Sequence, residues 1–299
     1  TAFRLLWLGQ FLTTAGLTVV VPFAPLYLTQ LGALDTQENA LWTGLALAAP
    51  APLLFAMGPL WGRWGDRFGR KWMVLRALAG IAVSLVLMGL AQTPAQFVAA
   101  RLLQGAFGGV DDAAAAFVGG DRTRARAFGG LHGALAAGAL LGPALAAVAA
   151  PALGFRTLLI GLGGVVALVA LEAAHSVREP ARAETDITDA RSSLPALVAS
   201  LLRQRRSRAF ISAGIVVQVA MFALLAIYAP YVAHLDAAHA TRWVGLLQSL
   251  FWLGAVAGAP WWGRRGERVA PETLFVWAGG GAALALLAQA VVTDPAWLA

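Results

Sequence analysis

Of 299 residues, 59% are hydrophobic and 12% charged, the mean hydropathy is +0.71, and the apolar residues gather in runs near the length that crosses ~30 Å of hydrocarbon. This excludes a water-soluble domain. The net charge of +7 and pI near 11.1 would suit a nucleic-acid binder only if the basic residues lined one helix face; they sit in short loops between apolar runs, so the expected partner is a lipid bilayer and not nucleic acid.

Cysteine is absent, which rules out disulfides and thiolate metal sites but leaves the compartment open. Arginine outnumbers lysine 21 to 1 and alanine is abundant, the usage of a GC-rich bacterial genome. Apolar segments at about residues 5–28, 41–60, 73–92, 95–118, 127–150, 153–174, 209–233, 242–262 and 272–292 predict nine spanning helices in an all-α integral membrane protein. The polar stretch from His175 to Arg208 separates six spans from three. The expected organisation is therefore a six-helix N-terminal bundle over residues 1–174, a cytoplasmic linker over 175–208 and a partial C-terminal bundle over 209–299. Within the linker, Arg178, Glu179, Asp186 and Arg191 read as solvated charge, and Leu197, Val198, Leu201 and Leu202 share one face of a helix suited to the interface.

Orientation follows from the basic residues. With a cytoplasmic N-terminus, 19 of the 22 face inside, leaving only Arg101, Arg156 and Arg242 elsewhere. Thr1 is not a start methionine and no cleavable signal is visible, so the first helix is expected to be a true span with the natural N-terminus upstream.

The stretch GPLWGRWGDRFGRK, Gly58 to Lys71, is partly repeated as APWWGRRGER, Ala259 to Arg268. At the same offset of 201, Trp42 and Gly44 match Trp243 and Gly245, Pro94 matches Pro295, and Asp66 is echoed by Glu267. One gapless register over a helix pair and its loop points to duplicated bundles. A complete second copy would give twelve helices, so the natural chain is expected to continue past Ala299.

Four segments now combine. The turn Gly58–Lys71 carries Gly62, Asp66, Arg67, Gly69, Arg70 and Lys71; the fourth span contains RLLQG, Arg101 to Gly105; the fifth contains GALLGP, Gly138 to Pro143; the first ends PFAPLY, Pro22 to Tyr27. Together they resemble the major facilitator superfamily, and within it the twelve-helix drug/proton antiporter branch. The resemblance covers the whole chain and implies the superfamily fold, here with six helices of one bundle and three of the other, in the bacterial inner membrane. It also implies that Gly138, Gly142 and Pro143 belong to an antiporter motif, and that Asp66 meets a helix of the second bundle. The glycines that usually follow that motif are Ala146 and Ala147 here.

The residues have their own logic beside the name. Glycines let two helices meet across a tight turn, and Asp66 among Arg67, Arg70 and Lys71, with Glu267 and Arg268 in the echo, can form ion pairs that break when bundles rock. A conformational latch and a plain topological anchor both fit such charge. Arg101 lies about two turns into its span, where it either serves proton coupling or an acidic substrate, or snorkels. Asp111 and Asp112 are adjacent carboxylates that no rule of helices in lipid requires. On a continuous helix Asp112, eleven residues from Arg101, shares its face, while Asp111 is turned roughly 100° away. Asp112 is the favoured proton carrier, with a solvated vestibule as the other account, and His132 on the next helix either joins it or simply packs.

For a substrate cavity the candidates are Gln10 and Thr14, one turn apart, with Gln104, Phe107, Phe222 and Tyr228. Each aromatic taken alone also suits a structural role. No acid appears in the first span, where many drug/proton antiporters carry one. Phosphate loops, nucleophile triads and metal clusters are not recognisable, so neither an enzyme nor a cofactor is expected. The leading expectation is a monomeric, proton-coupled exporter of small organic molecules working by alternating access. A dedicated exporter of a metabolite such as a siderophore, with Arg101 reading an acidic group, and a non-transporting membrane module stand as alternatives.

Overall fold

The computed structural model describes residues 2–33, 35–117, 124–177, 179, 202–266 and 269–289; the side chains of Asp66 and Asp112 also lie outside what it describes. All regular structure among these residues is helical: α1 Ala2–Gln30, α2 Thr36–Ala48, α3 Pro50–Phe68, α4 Arg70–Leu90, α5 Pro94–Phe107, α6 Val110–Phe117, α7 Arg124–Ser176, α8 Arg205–Leu235, α9 Ala240–Gly266 and α10 Pro271–Gln289. Five stretches, Phe3–Gln30, Thr36–Gly65, Arg70–Leu90, Gly129–Ser176 and Ser207–Leu235, are long and apolar enough to cross a bilayer. The α7 stretch is two arms that meet at Gly154, whose φ of 80° and ψ of 152° are not helical. A left-handed φ there admits the chain reversal that a side chain would resist.

One span expected to be continuous is interrupted, and another loses a backbone bond. The second keeps helical dihedrals through Ala49 (φ −50°, ψ −40°), but Pro50 has no N–H to give the carbonyl four residues back. The fourth divides into α5 and α6, of 14 and 8 residues, at Gly108 (φ −58°, ψ −177°) and Gly109 (φ 89°). Neither piece alone reaches across ~30 Å at ~1.5 Å per residue.

Helix α1 is the axis of the N-terminal bundle, packed on α4 and α7. Its contact with α7 is made by small residues: a Cβ at Gly138 would overlap the Phe11 carbonyl, and one at Gly142 would overlap Thr18 Oγ1 and lie 2.6 Å from the Ala15 carbonyl. Lipid tails offer helices no hydrophobic drive to associate, so close backbone approach of this kind supplies the packing. Toward the far end of α1, Phe23, Tyr27, Phe97 and Phe155 close an aromatic core, with Tyr27 Oη donating to the Met88 carbonyl at 3.2 Å. Helix α9 touches α7 where a Cβ on Gly245 would collide with Ala147 and the Pro143 carbonyl.

In the turn before α9, Asp236 accepts from the His239 backbone N–H and the Trp243 indole, each at 3.1 Å. Desolvation raises its pKa, but the hydrogen bonds from Trp243 and His239 outweigh this and hold it below the usual carboxylate range.

Gly138→Ala is expected to destabilise the full-length protein by about 1–3 kcal/mol through overpacking, whereas Gly133→Ala on the same helix, with nothing near its Cβ, is expected to be neutral or mildly stabilising. Thermal unfolding in detergent distinguishes them; equal midpoints would remove the close-approach account.

Candidate functional site

Breaks inside a bilayer free backbone carbonyls, and the chain fills them with buried cations. The carbonyl that Pro50 leaves unpaired is that of Ala46, and Arg101 Nε donates to it at 3.0 Å. Arg101 is 4% exposed, and its Nη1 also donates to Gln104 Oε1. One turn on, a Cβ at Gly105 would collide with the Pro50 carbonyl. The RLLQG segment thus grips the proline site where α2 passes into α3. Both donors described on Arg101 are spent on this, which weakens its reading as a substrate or proton group.

The second break carries the acid. Because Gly108 and Gly109 leave helical geometry, the eleven-residue phase that placed Asp112 on the Arg101 face does not carry through. Among the described side chains Asp111 meets α1: it is exposed, and its carboxylate accepts from Gln10 Nε2. Gln10 is 2% exposed, lies 3.3 Å from Thr14 Oγ1, and its Oε1 is buried with no partner among the described residues. Gln104 Nε2 is likewise buried without a described partner. An amide with spare capacity and a carboxylate therefore meet at the junction of α1 with α6, and a second such amide lies beside Arg101.

At the charged turn the acid that the structure shows is Glu179, which the sequence placed in a solvated linker. Its carboxylate accepts from the backbone N–H groups of Arg70 and Lys71 at 2.6 and 2.9 Å, capping α4. Lys71 Nζ reaches back to the Ala174 carbonyl at 2.6 Å. Gly69 is required twice here, by its φ of 99° and because a Cβ would lie 2.7 Å from the Glu179 carboxyl carbon. Arg67 is exposed over the ring of Phe68, and Gly62 has open space about it. Glu267 and Arg268 lie outside the described residues.

Other candidates are placed apart. His132 and Phe222 are exposed on α7 and α8, Tyr228 is half-buried against the core, and Phe107 packs near Trp61 with ring centroids 5.8 Å apart. Pro143 sits in the contact with α9 rather than in a cavity. One residue escaped the sequence reading. Arg76, counted there among loop charges, is 7% exposed inside α4, donates to the carbonyls of Phe107 and Gly108 at 3.2 and 3.3 Å, and stacks on Trp61 at 4.0 Å. The positive-inside count hid it, although the apolar run from residue 73 already includes it.

The sequence profile of the Major Facilitator Superfamily matches residues 6–299. A staphyloferrin B transporter of Staphylococcus aureus is 37% identical over 98% of this chain and 71% of its own length. A multidrug resistance protein MdtG of Klebsiella pneumoniae is 33% identical over 97% and 71%. In fold the chain is similar to an inward-facing, unoccupied bacterial homologue of the human lysosomal transporter Spinster, with a TM-score of 0.71 and 21% identity, covering 91% of this chain and 63% of that one. The chain thus spans under two thirds of that solved structure.

Arg101→Ala is expected to leave the Ala46 carbonyl unpaired, at a cost of about 1–3 kcal/mol. Pro50→Ala restores a backbone N–H to that carbonyl, so the loss should shrink in the Pro50→Ala background. A double-mutant cycle on unfolding in detergent measures this; strict additivity would mean that the arginine acts elsewhere. Glu179→Ala should destabilise α4 by about 0.5–2 kcal/mol, read as faster hydrogen exchange confined to its first turns; unchanged exchange there would remove the cap.

Proposed function

Because this chain belongs to the major facilitator superfamily, we propose that the whole protein is a proton-coupled secondary exporter of small organic molecules, set in the bacterial inner membrane with its N-terminus cytoplasmic. The observation that carries the reading is the meeting of Asp111 with Gln10. An exposed carboxylate beside a broken helix, touching a buried amide with an unused acceptor, can change charge without dismantling the core. Protonation of Asp111 releases Gln10 from a charged acceptor and alters how α6 sits against α1. Substrate entering between α1 and α6 competes for the same groups, which couples the two fluxes. The turn from Gly62 to Lys71, with Asp66, Arg67, Gly69 and Arg70, serves as the latch in this scheme, and the contact of Pro143 and Ala147 with Gly245 is a surface on which the bundles rock.

A dedicated metabolite exporter is the second reading, favoured by the likeness to a transporter named for staphyloferrin B. What weighs against its original form is that the Arg101 donors face Ala46 and Gln104. An acidic substrate would have to find its cation elsewhere.

In proteoliposomes of the full-length protein, Asp111→Asn is expected to abolish substrate-driven proton movement while substrate binding survives. Full coupled transport by that variant would sink the assignment, and loss in Asp112→Asn alone would transfer it to Asp112. Competition among structurally unrelated substrates separates broad from dedicated export.

A further inference from the structure

Two segments of this chain read Arg-x-x-x-Gly inside a span: RLLQG, Arg101 to Gly105, and RALAG, Arg76 to Gly80. Both do the same physical job on a neighbouring helix. Arg101 donates to the carbonyl that Pro50 leaves unpaired between α2 and α3, and Gly105 lets the Pro50 backbone in. Arg76 donates to the two carbonyls at the α5/α6 break, and Gly80 clears the way for Phe107, whose Cβ would overlap any Cβ placed there. A residue four positions on lies one turn along the same face, so arginine and glycine address one spot on the partner. Trp61 completes the second grip, donating to the Ala106 carbonyl at 2.6 Å while its ring lies under the guanidinium.

The geometry points to Arg76, with Gly80, as a positioning residue for the acid: it fixes the end of α5 at Phe107 and Gly108, and so sets where Asp111, three residues later, meets Gln10 on α1. The guanidinium fork suits this because it holds two carbonyls at once in one plane. Its cost of burial is offset by two charge-assisted hydrogen bonds and the indole face. Lysine keeps the charge but not the fork. Asp111 can move against α1 only as far as the grip on the break allows, which makes Arg76 a determinant of the Gln10–Asp111 contact without touching it. This rests on the reading of that contact as the coupling site only for its bearing on transport; the contact itself can be measured separately.

The chain has no cysteine, so in the full-length protein, with any cysteines beyond this chain replaced, the pair Gln10→Cys and Asp111→Cys reports α6 against α1 through a short bismaleimide in membranes. Phe23→Cys with Phe155→Cys, whose rings stand 5.3 Å apart, reports α1 against α7 as a control. With Arg76 present the first pair should cross-link; Arg76→Gln should cut its yield by about tenfold, the scale of one lost hydrogen bond to a charged group, and leave the control unchanged. Arg76→Lys should restore part of the yield, and Gly80→Val should lower it as Arg76→Gln does. Equal yield at Gln10–Asp111 with and without Arg76, or parallel loss in both pairs, overturns the proposal. If Arg76→Gln does not reach the membrane, Arg76→Lys decides by the same ratio of yields. Intact cross-linking behaviour beside normal transport in Asp111→Asn would leave the grip standing and the coupling role of the acid refuted.

Discussion

Inside hydrocarbon a backbone carbonyl that loses its helical partner has no water to turn to, and the structure of this chain is organised around meeting that demand. Several carbonyls freed at prolines, breaks and helix ends meet a donor from elsewhere. Arg101 answers Pro50, Arg76 and Trp61 answer the Gly108–Gly109 break, Arg156 donates to the Ala91 carbonyl at the end of α4 at 2.9 Å, and Lys71 does so at the end of α7. These cations sit at the negative ends of helix dipoles, where positive charge is favoured even before hydrogen bonding. A guanidinium at such a place is part of the backbone's own bonding.

That changes the meaning of a charged residue in a span. An arginine at membrane depth invites a functional reading by default, since burial without a partner is costly. Arg101 and Arg76 have carbonyl partners and act on backbone. Asp111 differs because it is exposed and its partner is a neutral amide. The breaks themselves have a use: a helix divided at Gly108 can present a carboxylate from its short second piece that an unbroken helix would turn elsewhere.

The nine apolar runs, the charged turn and the superfamily membership were legible from hydropathy, the 201-residue register and four motifs, because they depend on composition and local order. The shared face of Arg101 and Asp112 does not follow from the structure, for a specific reason: counting eleven residues between them assumes 100° per residue throughout, and FGGV contains the two glycines that end that count. The Asp112 side chain itself lies outside the described residues. Arg76 was pooled with loop charges because the positive-inside rule sums residues without asking which already lie in the helix. Glu179 was read as solvated because its partners are backbone N–H groups more than a hundred positions away, and no local pattern marks them. RALAG, Arg76 to Gly80, has a likeness to RLLQG that acquires meaning only because both arginines hold freed carbonyls.

Glu179 also ties two helix ends to one corner. Its carboxylate is fastened to the start of α4 while Lys71 on the same turn holds the end of α7. The α3–α4 turn is therefore bonded to the chain at and just past the end of α7, and Gly69 leaves the room for it. From the same helix start, six residues further, Arg76 reaches the broken span, so the charged corner and the break are served by one helix.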